Sequence, residues 1–178
     1  MKRIITIPAT IIALVFGFIP IAGATTWYVD CAASGPGSGT LADPYNTIQQ
    51  GLDTCAASDS VEVADGTCMQ FLFWPAVDDI RLYSASGNPA ACVIDGGAMF
   101  MVIAVGMFGD PPKLTIEGFR IQNAAGGGSV GAGILIMSNL LISATIDNVE
   151  VQNNAAMGIV AYGGVVVEPS ILPLPTVA

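Results

Sequence analysis

Leu114-Thr-Ile-Glu-Gly-Phe-Arg-Ile-Gln-Asn123 and, 30 residues further on, Ala144-Thr-Ile-Asp-Asn-Val-Glu-Val-Gln-Asn153 decide the fold. Thr, Ile, an acid, Gln and Asn recur in step between the two stretches. Gly133-Ile-Leu-Ile136 then matches Gly158-Ile-Val-Ala161 at an offset of 25, and the Gly-rich loop Gly126–Val130 takes up the difference. Short strands that repeat at such a period, with insertions falling in turns, describe a solenoid whose coils stack and whose strands pair in parallel. One coil cannot bury its apolar face alone, so stacking makes the core. The repeat predicts Ile116 over Ile146 and Ile121 over Val151, all pointing inward. It also predicts Asn123 and Asn153 stacked at a turn, each side-chain amide bonding to the next rung.

Upstream of the repeat the chain reads as strand, turn, strand. Thr26–Asp30 (TWYVD) is an expected first strand, followed by a loop rich in Gly, Ser and Pro, Ala32–Pro44. That loop lacks the Gly-Lys-Ser/Thr ending of a phosphate-binding loop. A short helix is expected over Asn46–Ala57, with Asn46 or Thr47 as its cap and Ile48, Leu52 and Cys55 forming one apolar stripe. Further strands are expected at Ser60–Ala64, Ile80–Ser84, Cys92–Gly97 and Phe100–Val105, separated by Gly- and Asn-rich turns.

The ends frame this domain. Lys2 and Arg3, the apolar run Ile11–Phe18 and the small residues Ala22-Gly23-Ala24 have the layout of a secretory signal peptide cleaved after Ala24. Pro8 and Pro20 interrupt the longer uncharged run Ile4–Thr26, which disfavours a membrane span. Residues 1–24 are thus read as a signal peptide, 25–164 as the solenoid with its N-terminal cap, and 165–178 as a Pro-rich tail or an incomplete next rung. Three prolines in 169–178 oppose regular strand pairing, and no amphipathic cap is visible at that end. A truncated chain, or self-association through the uncapped C-terminal end, is the expectation there.

After cleavage only Arg81, Lys113 and Arg120 remain against 14 acidic residues, a net charge of −11. Such a surface repels phosphate backbones and argues against nucleic acid as a partner. Cys31, Cys55, Cys68 and Cys92 all lie in the exported part, where an even count points to disulfides. Four cysteines allow three connectivities. The matching 24-residue spacings favour Cys31–Cys55 and Cys68–Cys92, the second pair lying about one rung apart. No C-x-x-C pair and no histidine supports a metal site instead.

The order of motifs resembles the N-terminal portion of bacterial exported right-handed parallel β-helix proteins of the pectin-lyase-like fold. The residues that carry the likeness are Trp27-Tyr-Val-Asp30, Asp43-Pro-Tyr-Asn-Thr-Ile-Gln-Gln50, Ser58-Asp-Ser-Val61 and Ala64-Asp-Gly-Thr-Cys68. Ile94-Asp-Gly-Gly97 and Thr115-Ile-Glu-Gly-Phe119 continue it. The resemblance implies an all-β, right-handed parallel β-helix whose short helix caps the N-terminal end of the solenoid. It implies fold more firmly than activity, because the fold hosts lyases, hydrolases, epimerases and adhesins.

Among the relatives that the resemblance brings in, hydrolases use several aspartates with a histidine, and this chain has no histidine. Lyases use a basic side chain beside carboxylates that hold calcium. Arg120 is the candidate base, with Lys113 second, and Glu117 and Asp147 are the candidate calcium ligands because they fall at matched positions of the repeat. The bland alternative for both carboxylates is a solvated outer face. Trp27, Trp74, Tyr28, Tyr83 and Phe119 form no row at a fixed period, as a sugar-stacking stripe would. The leading expectation is a non-catalytic exported β-helix domain for surface display, adhesion or glycan contact, with no cofactor. A calcium-assisted polysaccharide lyase, or the N-terminal fragment of one, is the alternative. The expected location is extracellular, cell-surface or periplasmic.

Overall fold

The computed structural model describes residues 23–109, 111, 113–126 and 131–169. It is a parallel β-solenoid of about 4 turns carrying one short helix. The strands are β1 (Thr26–Val29), β2 (Ser60–Val63), β3 (Gly66–Met69), β4 (Leu72–Phe73), β5 (Ile80–Ser84), β6 (Cys92–Asp95) and β7 (Ile103–Val105). β8 (Lys113–Glu117), β9 (Arg120–Gln122), β10 (Ala132–Asp147), β11 (Glu150–Gln152) and β12 (Met157–Pro169) follow, and the helix α1 is Ile48–Thr54. Each turn crosses three faces. β1, β2, β5, β8 and the second half of β10 stack on the first face, and β3, β6, β9 and β11 on the second. β4, β7, the first half of β10 and the start of β12 make the third. β10 and β12 run unbroken from the third face to the first, with an irregularity in their register between Ser138 and Ile142.

The repeat predicted the register. Ile116 pairs with Ile146 and Ile121 with Val151. Ile134 pairs with Ile159, at the offset of 25. Extending these rows gives Val61–Leu82–Ile116 on the first face, Cys68–Ile94–Ile121 on the second and Leu72–Ile103–Ile134 on the third. All of these side chains are buried and belong to one core cluster. Each fully buried aliphatic side chain contributes roughly 1.5–3 kcal/mol, a gain that exists only when the neighbouring coil covers it.

The helix is shorter than expected. Thr47 is its cap, accepting from the Gln50 amide, and Cys55 already has extended dihedrals. Ile48 and Leu52 are buried against the first coil. Gly51 faces Val61, where a Cβ would lie 2.9 Å from the Val61 side chain, so its lack of side chain lets the helix sit close on the core. Asp59 ties this end together. Its carboxylate accepts from the backbone N–H of Thr25 and Ala56 and from Trp27 Nε1. Val165–Pro169 forms the end of β12 and pairs with Ile142–Ile146. The proposed signal peptide except Gly23 and Ala24, and residues 170–178, lie outside the described residues.

The cysteine pairing is corrected. The disulfide joins Cys31 to Cys68, with Cα atoms 5.4 Å apart, while Cys55 and Cys92 are buried free thiols. Spacing misled because the rung between β3 and β6 is 26 residues long, not 24. Cys92 stacks over Gly66, and Cys68 stacks over Ile94. Cys55 is turned inward at the helix end, its thiol donating to the Gly51 carbonyl. Burial pushes both free thiols up to about 12, with nearby Asp59 and Asp65 adding to the effect at Cys55 and Cys92 respectively. A disulfide of this kind marks an oxidising, extracellular-type environment.

Peptide mapping under non-reducing conditions is expected to recover a Cys31–Cys68 link. Cys31→Ser is expected to lower unfolding stability by about 2–4 kcal/mol. Alkylating reagent should label Cys55 and Cys92 only after denaturation. A recovered Cys31–Cys55 link would contradict the assignment.

Candidate functional site

Among the described residues a groove of about 600 Å³ runs along the corner between the second and third faces. Two successive turns, after β9 and β11, build it in the same way, and the turn after β6 differs by one residue. β6, β9 and β11 end at Asp95, Gln122 and Gln152, which are register neighbours. After β9 and β11 the chain enters the left-handed region at Asn123 (φ 64°) and Asn153 (φ 54°), and after β6 it does so one position later, at Gly97 (φ 56°) and Ala98 (φ 65°). Asn is the side-chain-bearing residue that best tolerates this conformation. The recurrence of Asn at this point of the repeat is therefore a backbone requirement. Behind each turn lie small residues, Ala98, Ala124, Ala125 and Ala155, which leave the groove open.

Asp95 anchors the floor. Its carboxylate is buried and accepts from Gly97 N at 2.8 Å, Gln122 Nε2 at 2.9 Å and Asn123 Nδ2 at 2.7 Å. Burial alone raises its pKa, but the hydrogen bonds from Gln122, Gly97 and Asn123 outweigh it and hold the group below the usual carboxylate range. Gln152 donates in turn to Gln122, so a polarised amide ladder runs down the turns to one anion. The expected Asn ladder takes a different form. Asn123 bonds to Asp95, the rung contact above it is made by Asn154, which accepts from Ala124 N, and among the described residues no bond links Asn123 to Asn153. The Asn153 side chain stands exposed at the groove wall.

The residues singled out for lyase chemistry lie elsewhere and are engaged. Arg120 is 2.9 Å from Glu150, its register neighbour on the next rung. Glu117 does face Asp147 in register, as the repeat implied, but it accepts from Arg81 at 2.6 Å. Lys113 pairs with Asp79 at 2.7 Å. All three basic residues of the domain thus clamp one rung to the next on the first and second faces. Among the described residues no three His, Cys, Asp or Glu side chains converge to hold a metal ion. No helix there is long and apolar enough to cross a membrane. Of the aromatics, Trp74 and Phe119 are core residues, Trp27 stacks on Tyr45, and Tyr83 donates to Glu62 beneath the Arg81 guanidinium. The repeat revealed the turn residues, but not the groove, because corner geometry depends on loops of unequal length.

Compared with known proteins, the chain matches no family model, no curated protein and no solved structure.

Asp95 and Asp59 both have folded pKa values lowered by their donors, against the opposing effect of burial. The stability they confer is present above the unfolded carboxylate value, near pH 4, and is lost as pH falls through the lower folded value. The melting temperature is expected to drop over that window. Asp95→Asn should lower stability at neutral pH and flatten the acid slope, read by thermal melts from pH 7 downward. An unchanged slope would show that the Asp95 hydrogen bonds do not hold in solution.

Proposed function

We propose that the chain is an exported, non-catalytic β-helix module, of the pectin-lyase-like kind that its motifs resemble, which binds an extended glycan in the Asp95–Asn123–Asn153 groove. The observation that carries this reading is the repetition of one Asn-bearing turn on two successive coils, beside the buried Asp95 carboxylate of the coil before. Strands in a stack lie about 4.8 Å apart, so the groove offers equivalent amide and backbone groups at a spacing suited to a chain of hydroxyl-bearing units. Gln152 and Asn153 are exposed along this wall. Asp95 is the one charged side chain lining the groove and its oxygens already accept hydrogen bonds. A domain of net charge −11 disfavours polyanions, so neutral glycans fit better than polyuronates. The lyase reading has weaker support, since Arg120, its candidate base, is held by Glu150.

Retention on a panel of neutral and acidic polysaccharides tests this. The expected outcome is binding to a neutral polymer, weakened tenfold or more by Ala125→Trp, which fills the groove from an exposed position, with no new reducing ends or unsaturated products. Turnover of a uronate polymer that needs Arg120 would overturn the non-catalytic reading. For export, the N-terminus of protein recovered from a secreting host is expected to be Thr25. Material that keeps Met1 would overturn cleavage.

A further inference from the structure

The described strands of the third face carry no charged residue. The stretches 69–77, 96–109, 121–146 and 151–167, within which all the described strand residues of the third face fall, contain no Asp, Glu, Lys or Arg. The strands there are apolar on both sides. Inward, Leu72, Ile103 and Ile134 join the core. Outward, Phe73, Ala104, Leu135 and Val160 are aligned in register; Met101, Ala104, Ala132, Leu135 and Val160 form a second, buried apolar cluster, with Phe71, Phe73 and Met137 packed against it and partly exposed. Parallel strands that read as unbroken apolar runs are those covered on both faces.

What lies over this face is uneven. Phe71, Phe73, Met99, Phe100, Met101 and Met107 line an apolar groove of about 340 Å³. Phe108 rises beside it, 70 % exposed, its ring 5.0 Å from Phe73, and Phe100 is 68 % exposed. Met99, Met107, Met157 and Tyr162 are each about half exposed. Large apolar side chains carry roughly 150–250 Å² apiece, so these six exposed residues present on the order of 700 Å². That exceeds what a monomer ordinarily leaves to water and is near the ~800 Å² that each partner contributes to a stable interface.

We propose that the third face binds a second copy of this chain as a two-fold dimer. A projecting phenyl ring beside an apolar groove on one patch is self-complementary, as a two-fold contact requires. Charge points the same way. Two bodies of net charge −11 meet with least repulsion through the flank that carries none. A lipid surface is the less suitable occupant, because no basic residue borders the patch and the three in the domain are ion-paired on the other faces.

Sedimentation velocity of residues 25–178 over a wide concentration range tests the proposal. A reversible dimer is expected, tightened by salt as screening removes the repulsion between like-charged bodies. Phe100→Asp and, separately, Phe108→Asp each place a charge in the contact twice and are expected to weaken dimerisation about 30-fold or more. Far-UV circular dichroism and the melting profile confirm folding; both sites are surface positions, and either variant suffices. A wild-type monomer at every concentration would overturn the proposal, whether or not it binds phosphatidylcholine vesicles. So would a dimer that both folded variants retain, which would place the contact elsewhere, for example at the end of the solenoid.

Discussion

Everything in this molecule depends on the alignment of one coil's apolar row with the next. Val61, Leu82 and Ile116 are buried because each is covered by its register neighbour. A slip of one residue would turn such a row outward along a whole strand. The register is therefore enforced from several sides. Ion pairs join Arg120 to Glu150 and Lys113 to Asp79 across adjacent rungs. Each is modest by itself, roughly 0.2–1 kcal/mol, but each is satisfied in only one register. Asp95, with donors from its own turn and from the turn above, does the same at the corner of the groove.

The stack was legible where two rungs happened to have the same length. The 30-residue match of 114–123 with 144–153 gave the pairs Ile116–Ile146 and Ile121–Val151 because both strands and the turn between them recur intact. It was illegible where rung lengths differ. Ser60 pairs with Arg81 but Ile80 with Leu114, and no fixed spacing predicts both. The cysteines fell into this gap: equal spacings of 24 looked like a period, while the local rung was 26. The partners of Arg120 and Glu117 were hidden for the same reason, since neighbours across rungs are set by turn lengths.

The groove and the uncharged flank show two kinds of signal. Asn at the end of the repeat was visible, and its amide bonding was expected. Its deeper cause, a left-handed backbone after each strand, emerges only from the dihedral angles. The uncharged flank was present in the sequence as four long stretches without Asp, Glu, Lys or Arg. It became meaningful only when the topology aligned a strand from each of them on the third face.

The Cys31–Cys68 bond bears on how the chain reaches this state. A polypeptide is made from its N-terminus, so Cys55 becomes available to Cys31 before Cys68 does, and the native bond skips the nearer partner. Docking of the cap helix hides the Cys55 thiol and keeps it protonated, removing the competitor. Until that happens, a Cys31–Cys55 bond formed early has to be undone by exchange, a step that takes seconds to hours according to the oxidant and isomerase present. The order in which oxidation and helix docking occur is thus a determinant of yield, and it favours a compartment that supplies disulfide isomerase as well as oxidant.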